Sequence, residues 1–314
     1  MTEPPPGAAS PPRPADRIVW LGRVTTREHV ARAGAALVSP TVIWLLALLV
    51  IPSFALFALS FATRGGDGEI VWSFSLSAFE RLLGFGVLGW SADYLRIFFR
   101  SVWVATVTSA LSIGFGYPLA FLIAGVPKRW SRILLGLIVV PMCTNLVVRT
   151  YAWEVLLSPG LPPAKLAAWL GFVPEGRGLY PSTFAVLIGM VSTSLPFAVL
   201  PLVTNVERMD WSLVEAARDL YAGRWLVFRH AILPQTLPGL VVAVIFTFVP
   251  SMGMFVVSDR LGGSTFSLIG NQIQQQFGMS RDYPFGAALS LVMIALTLVG
   301  LWLYRRSSKG APAA

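Results

Sequence analysis

Six apolar stretches, each about as long as a bilayer is thick, constrain this chain more than any other feature. They cover residues 35–62, 101–127, 133–157, 181–206, 237–258 and 283–304. A helix needs about 20 apolar residues to cross the hydrocarbon core. In lipid, only helices and closed barrels keep every backbone amide and carbonyl paired. The expected fold is therefore all-α, a polytopic membrane helix bundle of about six transmembrane helices. Composition agrees: a mean hydropathy of +0.69, with 55% hydrophobic and only 12% charged residues, would make an insoluble globular protein.

The charges fix an orientation. The net charge of +9 is not gathered into a solvated patch, as nucleic-acid binding requires, but sits at the ends of the apolar stretches. Arg13, Arg17, Arg23, Arg27 and Arg32 precede the first, and Lys128, Arg129 and Arg132 fill the short second loop. Arg208, Arg218, Arg224 and Arg229 lie in the fourth loop, with Arg305, Arg306 and Lys309 at the C-terminus. The intervening loops mix both signs, so the positive-inside rule puts both termini and these loops in the cytoplasm. The first stretch is too long for a cleaved signal peptide. Residues 1–14, rich in proline, read as a disordered tail. The loop over 63–100 has room for an interfacial helix near residues 76–83. Prolines within the stretches (Pro40, Pro52, Pro118, Pro141, Pro196, Pro201, Pro250) favour a bundle with moving parts. Cys143 stands alone in an apolar run and reads as a buried thiol.

The cytoplasmic segment VEAARDLYAGRWLVFRHAILPQTLPG, between the fourth and fifth stretches, is unusually structured for a loop. Ser212 and Glu215 have capping-box spacing, each able to satisfy a backbone amide at a helix start. A helix through Leu220, a break near Gly223 and a second helix ended by Pro234 make a helix–turn–helix on the membrane face. Ala216 and Ala217 keep one side low, so that another surface can approach. Glu215-Ala216-Ala217, followed by Leu233-Pro234, resembles the EAA loop of permease subunits in binding-protein-dependent ABC importers. The resemblance implies that Ser212, Glu215, Ala216, Ala217, Gly223, Leu233 and Pro234 couple the chain to a separate ATPase. The family usually has glycine where Tyr221 stands and isoleucine where Ala231 stands; Gly223 and Ile232 are close enough to compensate.

NLVVRTYAWEVLLS (145–158), FAVLIGMV with LPFAVLPLV (184–203), and the segment from PSMGMFVVSDRL to RDYPFGAA (250–288) are similar to B-type spermidine/putrescine permeases. The similarity runs over about residues 74–304. It implies a complex with two copies of an ATPase, a second and different permease subunit, and a periplasmic solute-binding protein. Permeases for thiamine, ferric iron, phosphonates and opines share much of the pattern. The residues add their own signal. Arg149 and Glu154 are ionisable groups in or at the edge of the third stretch, where charge is costly. Glu154 would attract a polyamine, with Tyr151 or Trp153 stacking on its ammonium groups. Arg149 and Trp153 share a helix face and could instead pair. Asp259 and Asp282 in the last external loop, and Gln272, Gln274, Gln275 and Gln276 before the sixth stretch, are further candidates, the aspartates more simply solvated.

Enzymatic chemistry is not indicated. No lysine follows the glycine of a phosphate-binding loop, so ATP and its magnesium belong on a partner chain, and this chain is expected to bind no cofactor or metal itself. Gly84 to Gly89 match the GxGxxG spacing but follow no strand of a βαβ unit. His29 and His230 are far apart and have no metal-ligand spacing. An ion-coupled transporter would show acidic groups at midmembrane and internal repeats, and neither is evident. The expected organisation is a basic cytoplasmic tail (1–34), a first span with its external loop (35–98), a permease core (99–306) holding the coupling loop 207–236, and a C-terminal tail (307–314). A Glu215→Arg variant that still assembles is expected to lose ~10-fold or more of its ATP-driven uptake. Normal transport by that variant would refute the coupling role.

Overall fold

In a computed structural model of the chain, the described residues are 17–20, 23–66, 68–86, 89–263 and 266–308. The expected disordered tail at 1–14 and the end of the C-terminal tail, 309–314, lie outside them. The chain divides into two units, residues 1–58 and 59–314.

In the first unit, strands β1 (Arg17–Trp20) and β2 (Arg23–Thr26) pair antiparallel, Arg17 opposite Thr26. Helix α1 (Arg27–Leu59) follows, and its residues Ala36–Leu59 contain an 18-residue window of mean hydropathy 2.7. Pro40 strips the carbonyl of Ala36 of its helical donor, and the Ser39 hydroxyl donates to that carbonyl at 3.0 Å. Such local repair is what lets proline stand inside a span.

The second unit opens with β3 (Thr63–Arg64) and β4 (Ile70–Val71), helix α2 (Ser77–Leu82), and β5 (Phe85–Gly86) and β6 (Gly89–Trp90). The last two form a small hairpin, Phe85 opposite Trp90, so the glycine-rich spacing there belongs to a turn between antiparallel strands. Then come α3 (Asp93–Gly125), α4 (Lys128–Val139), a 3-10 turn (Val140–Cys143), α5 (Leu146–Leu156), α6 (Pro162–Trp169) and α7 (Thr183–Glu207). The rest are α8 (Trp211–Asp219), α9 (Arg224–Val227), a π-helical segment (Phe228–Ile232), α10 (Leu233–Gly253), α11 (Phe255–Gly262), α12 (Ile269–Gly278) and α13 (Tyr283–Ser308).

Helices α3, α7 and α10 pack against one another and form the centre of this unit. Small residues permit the approach: a Cβ on Gly116 of α3 would come within 3.3–3.4 Å of Val199 and Ala198 of α7. Hydroxyl pairs pin the three together, Ser109 to Thr247 at 2.6 Å, Tyr117 to Thr236 at 2.8 Å and Ser194 to Ser251 at 3.3 Å. Lipid offers no hydrophobic drive between helices, so close packing and such bonds carry the association. Ala120, Ile123, Val199, Leu202 and Ala243 fill the space between them.

Five helices among the described residues are long and apolar enough to cross a membrane, or six if a bent pair counts as one span. That pair is α4 and α5, which meet at 97°. Residues 133–157 thus form a sharply bent helix pair, the geometry of a broken span or a re-entrant loop, rather than one straight helix. Pro141 sits at the break. Its carbonyl accepts from the Thr144 hydroxyl at 2.7 Å and from Arg149 Nη1 at 3.1 Å, while Asn145 accepts from the amide of Val147 at 2.8 Å and restarts the helix. Cys143, beside the bend, is exposed rather than buried. The second span begins at Asp93, earlier than its apolar run, and the fifth ends at Gly253, with residues 255–262 turned into the separate helix α11.

Asp282 is not a solvated loop charge. Its side chain is 4% exposed and accepts from Arg81 Nη1 of α2 at 2.7 Å. It also accepts from the amide of Phe285 at 3.3 Å, capping the start of α13. The Arg81 guanidinium lies 4.3 Å from the centre of the Phe285 ring, and Tyr94 meets the same ring edge-on at 4.8 Å. Burial alone would lower the pKa of Arg81; the hydrogen bond and charge of Asp282 outweigh it and raise the pKa. Removing Asp282 leaves a cation without its partner. Arg81 is 37% exposed, so solvent softens the loss. Asp282→Ala is expected to destabilise by about 1–3 kcal/mol, lowering the thermal midpoint in detergent, with Asp282→Asn losing less. An unchanged midpoint would show the pair to be idle.

Candidate functional site

The loop between α7 and α10 folds as a compact hairpin of α8 and α9. Its core is Met209, Val214, Val227 and Ala231, with Phe121 of α3, Ala217, Ala222 and Ile232 packed around it. Ile232 thus joins this core beside Ala231. The two alanines of the Glu-Ala-Ala run part company: Ala217 turns inward, while Ala216 is exposed and alone keeps the outer face low. Glu215 is also exposed, with Leu213, Leu220, Tyr221, Trp225 and Leu226.

The cap of α8 is Asp210, not Ser212. Its carboxylate accepts from the Ser212 amide at 2.9 Å, placing Ser212 inside the first turn. Among the described residues Glu215 makes no return bond to the cap, so the capping box read from the spacing does not form. Hydrogen bonds from the side chain and then the backbone of Ser212 hold the Asp210 carboxyl below its ordinary pKa.

Helix α8 ends in a Schellman turn: the Tyr221 amide donates to Arg218 at 2.9 Å and the Ala222 amide to Ala217 at 3.2 Å. This turn demands left-handed backbone at residue 221, and Tyr221 adopts it with φ 56°. Glycine suits that position because it has no Cβ to clash. Gly223 does not compensate; its φ is −62° and it caps α9 in extended backbone. The tyrosine side chain projects freely, 97% exposed.

Pro234 does not end the second helix. The chain is helical from Arg224 to Gly253, a single 30-residue run through the π-helical segment into the fifth span. Leu233 and Pro234 occupy the first two positions of α10, where a missing amide hydrogen is tolerated. The hairpin is therefore built on the end of a span rather than tethered to it.

A second group of candidates lies on α5 and α11. Arg149 and Trp153 do not pair: Arg149 reaches the Pro141 carbonyl, and the Trp153 indole donates to Ser192 of α7 at 2.9 Å. Tyr151 and Glu154 are three apart and share a helix face. Tyr151 is exposed, and Glu154 Oε2 is buried with no hydrogen-bond partner among the described residues. Helix α11 packs on α5 and α7 and carries Asp259 exposed. Beside Trp153, a cavity of about 880 Å³ is walled by α5, α6 and the start of α7. Another, about 460 Å³, opens between α7 and α10 and is lined by Thr204, Asn205, Arg208 and Phe246 among others. Of the glutamines, Gln276 is buried on α12 while Gln274 and Gln275 are not.

Two residues of the hairpin escaped sequence reasoning. Asp210 competes with Ser212 as a cap by residue type, and the fold uses Asp210. Gln235 has no signal in the spacing; its amide reaches back to Asp210 across 25 positions.

Comparisons with known proteins bear on the whole chain. Residues 116–311 match the family described as binding-protein-dependent transport system inner membrane component. The spermidine/putrescine transport system permease protein PotB of Escherichia coli strain K12 is 34% identical over 266 residues, covering 85% of this chain and 94% of that protein. Among solved structures, a bacterial ABC transporter involved in import of the acidic polysaccharide alginate aligns with TM-score 0.63 at 18% identity, covering 89% of this chain and 98% of that chain. A bacterial alginate ABC transporter in complex with an alginate pentasaccharide-bound periplasmic protein gives the same TM-score at 16% identity, over 90% and 96% of the two chains. At these identities the two structures speak for the fold alone.

The left-handed backbone at residue 221 makes a further prediction. Tyr221→Gly is expected to stabilise the end of α8, slowing amide exchange over residues 211–222 about two- to fivefold. Faster exchange would show that the turn does not need this conformation.

Proposed function

The chain belongs to the family of binding-protein-dependent transport system inner membrane components, and we propose that its cargo is a polyamine of the spermidine and putrescine class. It is a multi-pass inner-membrane permease subunit of an ABC importer. The observation that carries the cargo is its likeness, over 85% of its length, to the spermidine/putrescine permease. Glu154 supports it, since a buried carboxylate oxygen without a partner is a costly group that a passing ammonium would relieve. Tyr151 on the same face offers a ring for cation–π contact. Arg149 and Trp153 hold the bend between α4 and α5 and so position that face. Asp259 adds an exposed acid on the helix packed beside it.

ATP hydrolysis takes place on a partner ATPase dimer, which receives the α8–α9 hairpin. Glu215, Ala216 and the exposed aromatic and aliphatic side chains around them form the docking face, and Ser212, Ala217, Gly223, Leu233 and Pro234 shape the hairpin behind it. The arginines flanking the hairpin and preceding α1 support a cytoplasmic side for this face and for both termini. The second permease subunit differs from this one, and a periplasmic solute-binding protein delivers cargo to the opposite face. Closure of the ATPase dimer displaces the hairpin and its helix, opening the path first to one side and then to the other. The division into an N-terminal tail, a first span and a permease core follows this assignment, with the core carrying the docking and cargo groups.

Membrane vesicles containing this chain and its partner subunits are expected to take up labelled spermidine only when ATP is present on the ATPase side. Spermidine uptake without ATP would overturn coupling. Absence of spermidine uptake, with ATPase activity stimulated by a different loaded binding protein, would keep the coupling and discard the polyamine.

A further inference from the structure

Gln235 stands in the first turn of α10 and is half-buried. Its side-chain carbonyl accepts from the backbone amide of Asp210 at 2.8 Å, and its side-chain amide donates to the backbone carbonyl of Asp210 at 3.3 Å. The same amide donates to the Ala231 carbonyl, within the π-helical segment, at 2.8 Å. One side chain thus imitates a strand neighbour, pairing with both main-chain groups of a single distant residue.

That residue is the cap of the coupling helix. The carboxylate of Asp210 holds the first turn of α8 through Ser212, while its main chain is held by α10 through Gln235. The next residue on α10, Thr236, is fully buried and bonds Tyr117 of α3 at 2.8 Å. Two consecutive residues therefore fasten the start of α10, one to the hairpin and one to the core of the bundle. The apolar cluster beneath α8 resists compression, but apolar contacts are non-directional and let surfaces slide. A reciprocal pair of hydrogen bonds has a fixed direction and register.

We propose that Gln235 is a positioning residue for transport. Its amide locks the start of the coupling helix to the first turn of α10, so that displacement of the hairpin is delivered to that span instead of being lost in the hairpin. This role rests on the reading of the hairpin as the ATPase-docking element. It does not involve contact with cargo or nucleotide.

The test uses the assembled complex with its binding protein in proteoliposomes. Gln235→Met keeps the volume and removes all three bonds; Gln235→Glu keeps the acceptor for the Asp210 amide and loses both donations. Cargo imported per ATP hydrolysed is expected to fall about fivefold or more for Gln235→Met, with an intermediate loss for Gln235→Glu. ATP hydrolysis and the KM for loaded binding protein are expected to stay at wild-type values. A Gln235→Met complex that imports as much cargo per ATP as the wild type overturns the proposal. So does one in which only the KM rises, or one that loses its ATPase subunit on purification, which would make Gln235 an assembly residue. A wild-type complex with no ATP-dependent uptake of any cargo would instead sink the coupling reading, and this role with it.

Discussion

In a bilayer no backbone amide or carbonyl can be left to water, and at several departures from straight helix in this protein a side chain answers for the main chain. The Ser39 hydroxyl takes the carbonyl that Pro40 frees, and Thr144 and Arg149 take that of Pro141. Asn145 starts α5, and Asn271 accepts from the Leu268 amide where α12 begins. Gln235 serves the Ala231 carbonyl in the π-helical segment. The breaks are therefore stable joints, and the cost of an unpaired group in hydrocarbon keeps them where they are.

Candidate site residues stand beside these joints. At the 97° bend between α4 and α5 Arg149 reaches back to the turn, and Tyr151 and Glu154 follow it on one face of α5. The π-helical segment lets α9 run into α10 without a stop, so the docking hairpin is the end of a span. That span packs against α3 and α7 through paired hydroxyls, which ties the hairpin to the centre of the bundle.

The helical class and about six spans were legible in the sequence because they rest on short-range patterns, apolar length and flanking arginines, and the Glu-Ala-Ala run marked a helical segment between two of them. The features decided by tertiary contact were not. Ser212 and Asp210 are equally good caps by type, and the fold uses Asp210, whose main chain is held by Gln235. Pro234 reads as a stop, yet the first turn of a helix tolerates it. Asp282 reads as a loop charge because Arg81 lies 201 positions away. Tyr221 marked itself as a departure from glycine, and the left-handed backbone there gives the physical reason. Helical spacing put Arg149 and Trp153 on one face of α5, but the capture of Trp153 by Ser192 of α7 was not readable there.

The claim on which the account turns is that the hairpin and α10 move as one body. Spin labels on Asp219→Cys and Val244→Cys, both exposed positions, in a Cys143→Ser background would report the distance within that body. A label pair from Val244→Cys to the second permease subunit would report its movement. Between the resting complex and the complex trapped with ATP, the first distance is expected to stay constant while the second changes. A change in the first distance with none in the second would mean that the hairpin flexes on its own and that α10 does not carry the stroke.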